Sequence, residues 1–452
     1  MRLSRSQLNL ATPVANMVHI GIGAFFRAHQ AWYTHVAEPE GNWGYVAFTG
    51  RSSEVADQLA PQNGLYTLVT RGAEGDSFEV INSLARVEDG NDLKRLTSAI
   101  VEPDTALVTL TITEAGYCLN PDGSLVDGPA LIESLEIGAP ANALTRLAWA
   151  MNQRRLSNGK GLALVPCDNI PANGHLLRGA MEQLFEAFGP QAQAWLADEV
   201  SFVSTSIDRI TPKTTDADLA TVEAGIGFED ASPVVTEPFR DWVLEGPFPL
   251  GRPAWERAGA KFVDHIEPFE NRKLWLLNGS HSLLAYLGQL RGHTTVDQAI
   301  ADPACLGAVE AFWDEAERTL DNPDLGITEY REALLERFRN PRIAHQLSQI
   351  AIDGATKVRV RVIPTLRAEL GAGCSADGAI GVIASWIAYV LETPELKDAR
   401  RADIDAAREV GSSAEAIQNL IGILDSELAE NPELFAAVAD RVTNLRTPQK
   451  VN

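Results

Sequence analysis

The sequence predicts an α/β protein in two parts: a domain over residues 1–255 that alternates strands with helices, and a mostly α-helical domain over residues 256–452. Three observations carry that reading. Short β-branched and apolar runs alternate with helical patterns through about residue 255, as in a sheet wound with crossover helices. From Glu270 onward the apolar residues recur with helical spacing, broken at Asp302-Pro303, Asn322-Pro323, Asn340-Pro341, Thr393-Pro394 and Asn431-Pro432. The length, 452 residues, allows two or three domains with a sizeable core.

The first strand leads into a glycine turn and a helix start, Met17-Val-His-Ile-Gly-Ile-Gly-Ala-Phe-Phe-Arg-Ala-His-Gln30. Gly21 and Gly23 would let the backbone approach a pyrophosphate at the start of a helix. Phe26 stands where a dinucleotide fingerprint would place its third glycine. Gly21, Gly23, Phe25, Phe26 and Arg27 form the candidate cofactor turn, with Arg27 near enough to help hold a phosphate. An ordinary strand-turn-helix reads the same way. The second strand, Gly44 to Thr49, is followed by Gly-Arg-Ser-Ser-Glu54. The acid that holds an adenine ribose in NAD sites is missing there, and Arg51 with Ser52 suits a 2′-phosphate. Arg51 is equally readable as a loop arginine, so the expected cofactor is NAD or NADP.

Leu65–Arg71 and Ser77–Asn82 read as paired strands joined by the Gly72 to Gly75 turn. Residues 104–113 form a β-rich run ending in Glu114-Ala-Gly-Tyr117, whose end could face a cofactor. Helical spacing follows from Leu131 to Met151. Gly161 to Pro166 is a further strand, ending in Cys167-Asp-Asn-Ile-Pro-Ala-Asn-Gly174, before a helix over 175–188. Asn169 and Asn173 lie beyond that strand, where open α/β sheets bind ligands. Either could instead be a turn-forming asparagine. Ser201–Ile207 is another strand. Asp208, which follows it, could orient a catalytic group or pair with Arg209. Val234 to Glu245 reads as strand or extended chain.

The second domain opens on Asn271-Arg-Lys-Leu-Trp-Leu-Leu-Asn-Gly-Ser-His-Ser-Leu-Leu-Ala-Tyr-Leu287, an apolar helix carrying Lys273, Asn278 and His281. At about 100° per residue, Asn278 lies near 140° and His281 near 80° from Lys273, so the three share one broad face. An ammonium is costly to bury, and a lysine tuned toward neutrality can act as a general base. An amide and an imidazole beside it can bind the oxygen it deprotonates. The alternative is a lysine that reaches solvent above two satisfied core polar groups. Further helices are expected over 296–318, 328–338, 342–351, 378–392, 402–407, 413–427 and 432–440. The run 358–363 is ambiguous, and the tail after Arg446 is expected to fray.

The formal net charge of −23 argues against nucleic acid or an anionic membrane as partner. Cys118, Cys167, Cys305 and Cys374 form no CxxC pair, so neither a disulfide framework nor structural zinc is expected. The N-terminus lacks an apolar run of signal-peptide length, and no stretch approaches a membrane span. A reducing cytoplasm is the simplest expectation.

Taken together, the Gly21–Gln30 turn, Cys167–Gly174, Asp208-Arg-Ile-Thr-Pro212 and the Lys273, Asn278, His281 spacing resemble the polyol-specific long-chain dehydrogenase/reductase family, also called the mannitol dehydrogenase family. The resemblance covers about residues 17–440. It implies a Rossmann-like N-terminal domain, a largely helical C-terminal domain and a reaction without a metal. It also implies that Lys273 is the catalytic lysine, Asn169 and Asn278 stabilise the developing oxyanion, His281 positions substrate and Asp208 contacts it. The two asparagines fall in different domains, so the reacting carbon is expected in the cleft between them.

Asn173 is a further candidate substrate contact, and Arg361 or Lys357 could meet a carboxylate or hydroxyl, or be plain surface charge. Glu270 could relay protons or be solvated. The leading expectation is an NAD(P)-dependent enzyme that interconverts a mannitol- or arabinitol-type sugar alcohol and its ketose. The alternatives are a hexuronate reductase, which takes fructuronate or tagaturonate to mannonate or altronate, and a non-catalytic nucleotide-binding protein. The expected partner is a small polyol, ketose or sugar acid, and the expected state a monomer or small homo-oligomer.

Overall fold

The computed structural model describes residues 1–446. The chain divides into two compact units, Met1–Glu267 and the residues from Pro268 onward. The expectation for the tail after Arg446 falls outside the described residues.

Twelve strands lie in the first unit: β1 (Ala15–Ile20), β2 (Gly44–Phe48), β3 (Tyr66–Gly72), β4 (Gly75–Ile81), β5 (Leu84–Glu88), β6 (Leu107–Leu110), β7 (Ala163–Pro166), β8 (Ser201–Phe202), β9 (Ser204–Asp208), β10 (Val234–Thr236), β11 (Asp241–Glu245) and β12 (Lys261–Phe262). Six form one sheet in the order β5-β2-β1-β6-β7-β8. All its neighbours run parallel. Such a sheet is covered on both faces, which explains strands that are apolar throughout. Alternate side chains feed two separate cores. Met17, Tyr45, Ala47, Leu107 and Val165 join one, with Phe26, Trp32 and Trp255. Val18, Ile20, Val46, Phe48, Val108 and Leu164 join the other, with Leu96, Leu147 and Met181 from the covering helices. Strand order reverses between β1 and β6, which makes the carboxyl ends of these two strands the switch point where such sheets receive ligands.

Several elements are shorter than their sequence patterns. The extended run 234–245 is two strands, β10 against β3 and β11 against β9, in different sheets. Pro238 lies between them and offers no N–H to a ladder. The helical run 131–151 is two helices, Gly128–Glu136 and Ala143–Ser157, separated by Gly138 at φ +71°. In the 201–207 run, β8 completes the large sheet while β9 pairs antiparallel with β11.

The second unit is helical. Its centre is Asp377–Glu392, buried on nearly every side, as a helix apolar all round should be. Its first N–H groups are capped from a neighbouring helix: the Glu315 carboxylate accepts from Gly378 N at 2.6 Å and Ala379 N at 2.8 Å. A Cβ on Gly378 would stand 2.6 Å from Phe312 Cα, so glycine allows this close crossing. The ambiguous run 358–363 is helical, split between Gly354–Arg361 and Ile363–Gly371. The helix expected over 342–351 shrinks to Leu347–Ile350, behind Pro341 and an Ala344 at φ +47°. The 296–318 run is two helices, Val296–Ala301 and Pro303–Thr319.

Candidate active site

In the first unit the glycine turn leaves β1 at the switch point. Gly21 has φ +101°, and a Cβ there would sit 2.1 Å from the Thr111 carbonyl oxygen, so no other residue fits. Gly21 N and Ile22 N both donate to the Phe48 carbonyl at 2.9 Å. Gly23 is extended and precedes the short helix Ala24–Ala28. Only the Gly21 oxygen comes within 4 Å of where its Cβ would stand, at 3.7 Å. The turn therefore offers open backbone on that side.

Phe26, at the third fingerprint position, is buried with its ring stacked on His19 at 3.4 Å. It packs the helix on the strand, the role a third glycine serves by being small. Phe25 is half-buried and stacks on His29 at 5.0 Å. Arg27 is 5% exposed. Its guanidinium donates to Gly23 O at 3.1 Å, Ser232 O at 2.5 Å and Ser232 Oγ at 3.0 Å. That makes it a tie between the turn and β10's approach. Arg51 is exposed just after β2. Its main-chain oxygen accepts from Asn91 Nδ2 at 3.4 Å.

Burial holds His19 down to about pH 3 for protonation, so its ring is neutral. The ring bonds Thr109 Oγ1 at 2.8 Å and Thr111 Oγ1 at 3.2 Å, and Thr111 Oγ1 donates to Gly21 O at 2.8 Å. A neutral imidazole thus secures the turn's strained glycine.

Beyond β7, Asn169 is exposed while Asn173 is fully buried. The Asn173 amide donates to Asp168 O at 3.0 Å and Thr205 O at 2.8 Å, and its oxygen accepts from Thr205 N at 2.9 Å. With both ends of its amide engaged, Asn173 ties the loop after β7 to β9. Asp208 closes β9, half-buried, opposite Asp241 of β11. The Arg209 guanidinium donates to main-chain oxygens of Ala28 and Glu237 and stacks over Trp32 at 4.9 Å.

In the second unit the expected continuous α-helix is interrupted. Glu267–Arg272 is α-helical, Lys273–Gly279 is π-helical, and Ser280–Leu290 returns to α. The i→i+5 bonding of a π-helix widens the turn beyond that of an α-helix. Lys273 and Asn278, five apart, therefore come closer in angle than the α-helical spacing places them. Wide turns need help with their carbonyls, and side chains supply it. Leu276 O accepts from Ser280 Oγ at 2.5 Å and Trp313 Nε1 at 2.8 Å. Asn278 O accepts from Arg361 Nη1 at 3.2 Å. A Cβ on Gly279 would stand 2.4 Å from Phe312 Cε1, so this position needs glycine for space.

Lys273 and Asn278 are half-buried and His281 is 8% exposed. Burial, reinforced by His345, Arg337, Arg361 and Lys357, keeps the His281 imidazole neutral far below its usual range. Its ring lies 5.3 Å from that of His345 and 5.0 Å from that of Phe338. Arg361 also donates to Ser282 Oγ at 3.1 Å, so its guanidinium braces the π-turn. Lys357, half-buried, donates to Ile350 O at 3.1 Å. Burial and Arg361 lower its pKa. Glu270 sits half-buried in the helix that ends at Arg272.

Among the described residues, His293, Asp302 and Cys305 are grouped closely enough to share a cation. The Asp302 carboxylate is already occupied by Arg291 at 2.6 and 3.2 Å, His293 at 3.0 Å and Ala304 N at 2.9 Å. Sequence reasoning missed the π-turn and the Arg361 brace. The one local signal was Gly279, a glycine inside an otherwise strong helix pattern.

Comparison with known proteins bears on both units. A model described as mannitol dehydrogenase Rossmann domain matches residues 15–257, and one described as mannitol dehydrogenase C-terminal domain matches residues 265–446. D-mannonate oxidoreductase of Escherichia coli is 34% identical over 445 residues, 94% of this chain and 92% of that protein. D-arabinitol 4-dehydrogenase of Ralstonia nicotianae is 37% identical over 388 residues, 83% of this chain and 82% of that one. Among solved structures, Pseudomonas fluorescens mannitol 2-dehydrogenase, in a ternary complex with NAD and D-mannitol, matches with a TM-score of 0.78 and 30% identity, over 99% of this chain and 97% of that one.

Proposed function

The chain belongs to the mannitol dehydrogenase family, and from that premise we propose that it is an NAD(P)-dependent oxidoreductase interconverting a sugar alcohol and its ketose, with Lys273 as acid and base. The observation that supports the proposal is the π-turn that carries Lys273 and Asn278 and leads into the helix of the neutral His281.

The roles follow from the chemistry. Lysine in its neutral form takes the hydroxyl proton as the alcohol is oxidised; protonated, it returns that proton to the carbonyl oxygen in the reverse direction. The nicotinamide, when bound, supplies the hydride acceptor. Asn278 donates an N–H to the developing alkoxide, and a preorganised donor of this kind contributes on the order of 10²–10³ in rate. Asn169 is assigned the second donor and Asp208 a substrate hydroxyl, both by family resemblance. A neutral His281 can give or take a hydrogen bond with a substrate hydroxyl without adding charge to the site. The open backbone at Gly23, beside the tight Gly21, supports a pyrophosphate there, with Phe26 holding the turn on its strand. None of these roles calls for a metal.

A second reading has a specific observation behind it. The groups that depress His281 are all basic: His345, Arg337, Arg361 and Lys357. Basic surroundings of this kind would suit a sugar-acid carboxylate, and one relative is a D-mannonate oxidoreductase. Reduced-nicotinamide absorbance, followed with NAD and NADP over mannitol, arabinitol, sorbitol, fructose, fructuronate, tagaturonate and mannonate, tests both. Turnover of the neutral sugars supports the leading reading, and turnover confined to the acids supports the second. No turnover on any of them leaves a nucleotide-binding protein without this chemistry.

A further inference from the structure

The loop after β6 holds a residue in an unusual conformation. Thr113 has φ +65° and ψ 163°, a region nearly reserved for glycine and costly for a β-branched side chain. Such a conformation persists only where the surroundings over-determine it. Here they do so through one buried carboxylate. Asp168, 7% exposed, accepts from Thr113 N at 2.8 Å, Ile112 N at 3.2 Å and Tyr117 Oη at 2.8 Å.

The other side of Asp168 is tied as firmly. Its main-chain oxygen accepts from Ile170 N at 2.8 Å and Asn173 Nδ2 at 3.0 Å. Asn173 in turn is locked to Thr205 of β9. One continuous hydrogen-bonded chain thus joins the ends of β6, β7 and β9, and Asn169 is the next residue along it.

We propose that Asp168 is a positioning residue: its carboxylate clamps the loop 111–117 to the loop 167–173 and thereby fixes where the Asn169 amide points. The inference rests on the reading of Asn169 as an oxyanion donor. A carboxylate suits the task because it offers only acceptors to three donors. An asparagine would turn its NH₂ toward at least one of them and leave a buried donor facing a donor.

The test compares native enzyme, Asp168→Asn, Tyr117→Phe and Asn169→Ala. Two measurements are made: amide hydrogen exchange over 111–117, and kcat, KM and cofactor affinity with D-mannitol, D-arabinitol and D-mannonate as probes. Asp168→Asn is expected to speed exchange at 112–117 about 10-fold or more and to lower kcat roughly 10- to 100-fold, the scale of a small misplacement of a reacting group. KM and cofactor affinity should stay within about twofold, a split that general loss of structure does not produce. Tyr117→Phe removes one donor and keeps the carboxylate, so it should move both readouts the same way by less. It also serves if Asp168→Asn does not fold.

Native exchange at 112–117 in both variants overturns the clamp. So does native kcat in Asp168→Asn when Asn169→Ala is slow. Should Asn169→Ala turn over as fast as native, the reading of Asn169 is what fails, and exchange alone decides whether Asp168 holds the loop.

Discussion

Arg361 donates from its guanidinium to the main-chain oxygen of Asn278 at 3.2 Å, and so holds the last turn of the π-helix that begins at Lys273. A π-turn is a poor hydrogen-bonding compromise on its own and recurs at functional sites because neighbours stabilise it. Arg361, half-buried and with its pKa lowered to about 10 by desolvation, is such a neighbour. Arg361→Leu is expected to cost about 1 kcal/mol, the scale of a lost charge-assisted hydrogen bond to a half-buried carbonyl. The proposed Asn278 donor would also be released, so kcat should fall roughly 10-fold or more while cofactor affinity holds. Thermal melting and steady-state kinetics measure the two effects, and a native kcat in a folded variant would detach the brace from catalysis.

Lys273→Ala should abolish turnover with cofactor affinity nearly unchanged. The deletion removes the proposed proton acceptor and leaves the sequence of the glycine turn unchanged. Single-turnover kinetics beside a cofactor fluorescence titration checks this. Native-like rates would falsify the base assignment.

Gly279→Ala should destabilise by about 1–3 kcal/mol, as overpacking does. The added methyl would stand 2.4 Å from Phe312 Cε1. Pairing it with Phe312→Leu should recover part of the loss, since the clash is with that ring. Denaturant midpoints of the three variants decide it. An additive double mutant would mean that the ring is not the obstacle.

Folding stability should decline with acid. His19 and His281 are neutral in the fold, with pKa values pushed below the ordinary 6.5 by burial. Below about pH 6.5 the unfolded chain binds protons at these rings and the native chain does not, so each removes about 1.4 kcal/mol per pH unit on acidification. The window runs from 6.5 downward, reaching about 3 for His19. Urea unfolding at pH 7, 6 and 5 measures the slope, taken as roughly these three points along the window. His281→Asn should flatten it, and an unchanged slope would show that His281 is not the proton-excluding ring.

Arg51→Asp should shift cofactor preference toward NAD. The guanidinium stands exposed after β2, where a 2′-phosphate would lie and where an acid holds a free ribose hydroxyl. The ratio of kcat/KM for NADP and NAD reports it. An unchanged ratio removes Arg51 from that role.

The sequence alone determined the α/β-then-helical order, the glycine turn and the family. Period and turn chemistry are local, and Gly21, Asp168-Asn169 and the Lys273, Asn278, His281 spacing are visible in one dimension. Only the tertiary structure decided which of the polar residues are spent. Asn173 is tied to Thr205, Arg27 to Ser232 and Arg361 to Asn278 and Ser282. Each of those partners is between about thirty and two hundred residues away. The helical register of Lys273 and Asn278 was settled in the same way. Trp313, Ser280, Arg361 and the ring of Phe312 make the wide turn affordable, and local propensity by itself reads that stretch as an ordinary α-helix.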